Sequence, residues 1–125
     1  MYGLTIDGAY YAWSIVKGKK TIETRSMNAR KYMDRLLGER VAIILKGKVI
    51  GYVTVVDRID YGCDVESFRT DEDKHLVRPG TRYDIDITKG KCGYILSNAC
   101  VEPVAYQATP FDPHYGYGGR TFRLM

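Results

Sequence analysis

The chain has 125 residues, a formal net charge of +4, 45% hydrophobic and 27% charged residues. This length makes one domain, residues 1–125, able to bury a core without staples. The composition is that of a soluble globule, and no apolar run approaches the ~18 residues of a membrane span, so no membrane partner is expected.

Other exclusions follow from particular residues. The start, MYGLTIDG, has neither a basic n-region nor an apolar h-region, so no signal peptide is expected and a cytoplasmic location is the default. Cys63, Cys92 and Cys100 are not spaced as zinc ligands, and His75 and His114 lie far apart. No metal site and no cofactor are expected, and each cysteine is read as a buried or half-buried thiol in a reducing compartment. The charge is uneven. Residues 17–48 hold ten Lys/Arg against three Asp/Glu, a net of +7 that leaves −3 for the rest. Either an anionic partner for the first half or plain solvation of a basic face accounts for this excess.

In chain order, Tyr2 to Ile6 alternates as a short strand. Asp7 can cap a helix running to about Lys17, with Gly18 as its stop. Ala9, Ala12, Trp13 and Val16 fall at i, i+3, i+4 and i+7, which predicts a buried stripe. Trp13 is read as core rather than as a ligand platform.

The octapeptide GKKTIETR, Gly18 to Arg25, follows. In an extended segment side chains alternate faces. Thr21, Glu23 and Arg25 then form one row, with Lys20 at its entrance and Ile22 and Thr24 on the opposite face. A hydroxyl, a carboxylate and a guanidinium in a row suit a polar or anionic ligand. The alternative is an ordinary surface pair of Glu23 and Arg25, which would contribute only ~0–1 kcal/mol.

Asn28 can cap a shorter helix ending near Leu37, with Ala29, Tyr32, Met33, Leu36 and Leu37 as its apolar face. Arg30, Lys31 and Arg35 lie off that stripe, as a phosphate-facing rim or as solubilising charge. Arg40–Leu45 and Val49–Asp57 predict strands joined as a hairpin at Lys46-Gly47-Lys48. Gly51 inside the second suggests a bulge or a close backbone approach. Asp71–Val77 predicts a short polar helix ended by Pro79-Gly80. Tyr83–Ile87 alternates weakly. Gly93–Ser97, Val104–Ala108 and Thr121–Leu124 predict three more strands, with Pro103 fitting an edge or bulge. Short strands with helices gathered toward one end describe an α+β barrel.

The spacing G-x-K-x-x-E-x-R, filled by Gly18, Lys20, Glu23 and Arg25, resembles the signature of the ASCH domain family, small β-barrels of the PUA-like superfamily. AYYAWSIVKG resembles that family's first helix, and RVAIIL with KVIGYVTVVD its next hairpin. GYILSNACVEPVAYQ, Gly93 to Gln107, resembles its late strand pair, and GYGGRTFRLM its closing strand. The chain departs at Gly93-Tyr94, where many relatives carry tryptophan, and the acidic stretch from Asp60 to Asp86 is poorly matched. The resemblance implies a PUA-like barrel of about six strands with two or three short helices. It also implies a cleft lined by the signature segment and taking RNA, single-stranded nucleic acid or a modified nucleoside.

Carried onto this sequence, the resemblance places Lys20, Glu23 and Arg25 at that cleft, with Lys20 and Arg25 suited to phosphate. Glu23 could orient the cations, accept hydrogen bonds from a base edge, or act as a general base; orienting the cations is the preferred role. Tyr94, Ser97 and Asn98 are expected in the same cleft by resemblance. The segment FDPHYGYGGR, residues 111–120, is a second candidate. Tyr115 and Tyr117 alternate with glycines ahead of Arg120, and stacking on unpaired bases contributes ~1–3 kcal/mol per base. The alternative is a glycine-rich turn whose tyrosines cover the barrel end.

The resemblance leaves three functions open: a nucleic-acid-binding module, an enzyme in the same cleft, or a protein-interaction domain of a transcription or RNA-processing regulator. Some small relatives are amidohydrolases of acetylated cytidine, with a catalytic lysine and a threonine where Glu23 stands. Others are ribonucleases that need no metal. In either case Lys20 and Glu23 would be the catalytic pair. Against the amidohydrolase stands the expectation that Glu23 favours the charged form of Lys20, and a protonated lysine is a poor nucleophile.

Overall fold

The computed structural model describes residues 1–110 and 120–125. β1 (Tyr2–Thr5) pairs parallel with β3 (Arg40–Leu45) and antiparallel with β6 (Thr121–Arg123). β3 turns back into β4 (Lys48–Gly62), β4 pairs with β5 (Lys91–Gln107), and β5 pairs with β2 (Ile22–Ser26). One sheet results, in the order β2-β5-β4-β3-β1-β6. It curls into a half-barrel with a few short helices, the α+β PUA-like class that the sequence implies.

The hairpin turn lies where the glycine and lysines placed it. Lys46 and Gly47 have φ of 50° and 79°, the left-handed pair that suits the twist of a two-residue hairpin. β3 reads RVAIIL because both its faces are covered. Val41 and Ile43 join the main core, while Ala42 and Ile44 pack with Val49 and Phe122 on the other side. The predicted irregularity at Gly51 is present. The β3–β4 ladder skips from Ile43↔Gly51 to Ile44↔Val49. A Cβ on Gly51 would lie 2.3 Å from the Cys100 carbonyl oxygen and 2.5 Å from Val16 Cγ1. Glycine is therefore required by close approach rather than by a turn.

Several elements differ from expectation, each for a packing reason. Residues 93–108 do not form two strands. β5 runs unbroken through Pro103, and the ladder absorbs the extra residues between Gly51↔Val101 and Val49↔Tyr106. β2 pairs only with residues 91–95 of β5, so Pro103 sits where no second neighbour needs its missing N–H. Tyr83–Ile87 is not a strand; Asp84 instead accepts backbone N–H groups from Gly80 and Ile85 and organises a turn. The polar helix is α4 (Glu72–His75), preceded by α3 (Val65–Thr70), whose N-cap Asp64 accepts from the Ser67 N–H at 3.2 Å. The expected second helix is one turn, α2 (Arg30–Met33), flanked by 3₁₀ turns at Met27–Ala29 and Asp34–Leu36. Met33 and Leu36 are its buried pair, while Tyr32 is exposed.

α1 (Ala9–Val16) is rotated from its expected phase. Gly8, with φ of 95°, is its N-cap, and Asp7 does not cap. Ala12, Ile15 and Val16 face the sheet, while Ala9 is exposed and Trp13 is 36% exposed beneath Lys17. Val16 needs the space that Gly51 vacates, and that contact sets the rotation. Past the helix, Gly18 takes φ of 78°. The N–H groups of Lys19 and Lys20 both return to the Ser14 carbonyl at 2.9 Å. This tight reversal brings Lys20 inward at the start of β2.

Candidate functional site

The tip of β1, the first turns of α1, β2 and the stretch between α4 and β5 meet around a cavity of about 230 Å³. Lys20, Glu23 and Arg25 line it, as does Arg120. Glu23 and Arg25 both line the cavity, as the alternation predicts, and Ile22 is buried away from it; Thr24, expected on the face of Ile22, lines the cavity as well. The row is not an exposed surface pair: Lys20 is 2% exposed and Glu23 7%.

Lys20 is clamped. Its Nζ donates to the His75 carbonyl, lies 3.6 Å from Glu23 Oε1 and sits 5.0 Å from the centre of the Tyr11 ring. The other Glu23 oxygen, Oε2, accepts from Arg25 Nη2 at 2.9 Å. Glu23 thus bridges the two cations. Burial holds the Lys20 ammonium below the usual lysine range; Glu23 opposes this, and the charges of Arg25 and Lys91 add to it. Glu23 does favour the charged amine as expected, but desolvation outweighs it. The clamp has a rigid base. His75 is fully buried and stacked on Phe68 at 4.1 Å. Its Nε2 donates to the Phe68 carbonyl at 2.7 Å, and its Nδ1 accepts from the Val77 N–H at 3.0 Å. That pattern assigns a neutral ring.

The remaining walls were not singled out in the sequence. Tyr11 meets Tyr83 edge to face at 5.9 Å. The Tyr83 hydroxyl donates to Asp7 Oδ2 at 2.6 Å, and Arg82 lies 3.6 Å from the same oxygen. Lys91, Thr24 and Val77 complete the surface that matters chemically. Helical spacing could have found Tyr11, which neighbours the correct stripe. Arg82, Tyr83 and Lys91 lie in or beside the acidic stretch, where the only pattern is the weak alternation that begins at Tyr83.

The other candidate residues lie elsewhere. Thr21 precedes β2 and is held through its backbone, the N–H to the Lys74 carbonyl and the carbonyl to the Leu96 N–H; it is not part of the cavity wall. Tyr94 stands opposite Glu23 in the ladder but is fully buried, and its hydroxyl donates to Asp34 Oδ1 at 2.7 Å. Ser97 pairs with Thr54. Asn98 is exposed, with φ of 52°, and its carbonyl accepts from Arg40 at 2.6 Å. Tyr94, Ser97 and Asn98 therefore do not join this cavity wall: core packing takes the first, and the others lie beyond the part of β5 that pairs with β2. Tyr115 and Tyr117 lie outside the described residues. Among the described residues no group of His, Cys, Asp and Glu is placed to hold a metal ion, and no helix is long and apolar enough to cross a membrane.

The ASCH domain model matches residues 9–113. The chain belongs to the ASCH domain family. Solved structures similar to this ASCH domain include the ASCH protein from Zymomonas mobilis, with 20% identity, a TM-score of 0.61, and coverage of 80% of this chain and 68% of that one. A tyrosine-to-phenylalanine mutant of that protein gives 20% identity and a TM-score of 0.61, covering 82% and 73%. A serine-to-alanine mutant of it gives 20% identity and a TM-score of 0.60, covering 80% and 69%. At this identity the likeness shows the shared fold. No curated protein matches the sequence.

Proposed function

We propose that this ASCH domain binds RNA or a modified nucleotide, one nucleoside unit at a time, in the cavity beside β2. The observation that carries this reading is the pairing of aromatic walls with a cation-rich lining. Tyr11 and Tyr83 offer rings against which a base can stack, and Lys20, Arg25, Arg82, Lys91 and Arg120 outnumber Asp7 and Glu23. Stacking and cationic grip together are the usual physics of single-stranded recognition. The cavity's volume of about 230 Å³ suits one small ligand rather than a length of strand.

A second reading, hydrolysis in the same cavity, is favoured by one observation. A buried lysine with a depressed pKa beside a carboxylate is the environment in which an amine becomes a base or nucleophile. Lys20 and Glu23 would then be the reacting pair.

The test is a gel assay of end-labelled single-stranded RNA without metal, at low and moderate salt, using wild type and Lys20→Ala. Retarded but intact RNA that salt releases supports binding, because phosphate contacts shed counterions. Cleavage that disappears in the variant supports hydrolysis. Neither shift nor cleavage overturns the RNA reading, and acetylated cytidine is then the substrate to assay.

A further inference from the structure

The cavity has more positive charge than its own carboxylates answer. Glu23 is occupied at both oxygens, by Lys20 at 3.6 Å and Arg25 at 2.9 Å. Asp7 is occupied by the Tyr83 hydroxyl and Arg82. Lys91 and Arg120 face the same space and make no ion pair among the described residues. Arg25 is only partly satisfied. Its Nη2 reaches Glu23 and the Thr5 carbonyl, but its buried Nε–H meets no acceptor among the described residues.

These three groups are held near one another by the backbone. Lys91 opens β5 opposite Ser26, one residue along the ladder from Arg25. The Arg120 carbonyl accepts the Thr5 N–H at 2.7 Å, and the Thr5 carbonyl accepts from Arg25 at 3.3 Å. Lys91 is half-buried, and desolvation lowers its pKa. A desolvated cation without a counter-ion is costly unless an anion arrives. The missing partner must present several acceptor oxygens to donors on β2, at the start of β5 and just before β6, which is the chemistry of a phosphoryl group.

We propose that Lys91 and Arg120, beside Arg25, form a phosphate subsite, so that the cavity selects a phosphorylated nucleotide over the free nucleoside. The inference rests on the nucleotide reading above and changes the assignment of the phosphate contact. Lys20, already held by Glu23 and the His75 carbonyl, is left for the base or sugar end of the ligand. The phosphate can belong to a free mononucleotide or to an RNA strand, and the chemistry of recognition is the same.

The experiment is calorimetric titration of the intact chain with the four ribonucleosides, their 5′- and 3′-monophosphates, inorganic phosphate, and hexameric RNA with and without a 5′-phosphate. The variants are Lys91→Met, Lys91→Arg and Arg120→Gln, each checked by circular dichroism. A monophosphate is expected to bind roughly tenfold or more tightly than its nucleoside, the contribution of one charge-assisted hydrogen bond. That ratio falls toward one in Lys91→Met and Arg120→Gln and is retained in Lys91→Arg. A hexamer preference for the 5′-phosphate would assign the subsite to a strand end. Equal binding of both hexamers, weakened by Lys91→Met, would assign it to the strand backbone; both outcomes support the subsite. Equal affinity for nucleosides and monophosphates overturns it while leaving the nucleotide reading intact. Inorganic phosphate bound in a Lys91-dependent way, with no nucleoside, nucleotide or RNA bound, supports the subsite and overturns the nucleotide reading. If no probe shows phosphate-dependent binding, the subsite is rejected.

Discussion

Glu23 shows how much burial changes the meaning of a residue. On an exposed strand its pairing with Arg25 would be a surface ion pair contributing ~0–1 kcal/mol. Here the carboxylate is 7% exposed and answers two cations. Removing one member of a buried ionic group leaves the others uncompensated, at a cost of about 3–5 kcal/mol. Glu23→Gln preserves the shape and removes the charge, so urea unfolding at neutral pH should show a loss in that range. A loss below about 1 kcal/mol would mean that solvent screens the pair after all. The identity and spacing of Lys20, Glu23 and Arg25 were legible because a strand's alternation is local. Their burial was not, because it depends on residues outside the segment, Tyr11, His75 and Val77 among them.

Among elements, the bulged β4 and the α3–α4 unit carry the next two expectations. Gly51 admits Val16 and the Cys100 carbonyl into space that a side chain would fill. The backbone oxygen cannot step aside as a flexible side chain would. Gly51→Ala is therefore expected to cost about 1–3 kcal/mol by overpacking, read as a lower urea midpoint. An unchanged midpoint would show that α1 can move off the sheet freely.

The α3–α4 unit encloses His75, whose neutral ring is fixed by two hydrogen bonds and whose pKa is lowered chiefly by burial. The unfolded chain takes up a proton near pH 6.5, where the folded chain does not. The unfolded state then binds more protons, so stability is full above that pH and falls as the pH drops through it. Denaturation midpoints measured from pH 7.5 to 5 should decline in the wild type and decline less in His75→Gln. The slope is at most about 1.4 kcal/mol per pH unit for this one group. Asp34, Asp64 and Asp84, whose pKa values the fold lowers, act below this window. An identical decline in both proteins would assign the effect elsewhere. The Asp71–Val77 signal predicted a helix here, but its use as the platform for Lys20 depends on a contact across 55 residues of chain.

For the whole molecule, the half of the sequence with the excess positive charge supplies only some of the cations that line the cavity. Residues 17–48 supply Lys20 and Arg25 to the cavity. Much of their remaining excess is engaged elsewhere: Arg30 pairs with Asp60, Arg35 bonds Thr121, and Arg40 bonds the Asn98 carbonyl. The other cavity cations, Arg82, Lys91 and Arg120, come from the part of the chain whose net charge is −3. Charge counted along a sequence averages over faces, whereas a ligand meets only the charges that one surface gathers. By itself the sequence determined the strands with strong alternation or continuous apolar runs, the hairpin turn, the irregularity at Gly51 and the family signature. Each is written in neighbouring residues, through backbone geometry and local spacing. Only the tertiary structure decided which face of α1 is buried, that Trp13 stays outside, that Tyr94 belongs to the core, and that Tyr83 and Lys91 join Lys20 around one cavity. Those outcomes depend on packing between distant segments and on the loss of water that packing brings, and neither is encoded in any short stretch of chain.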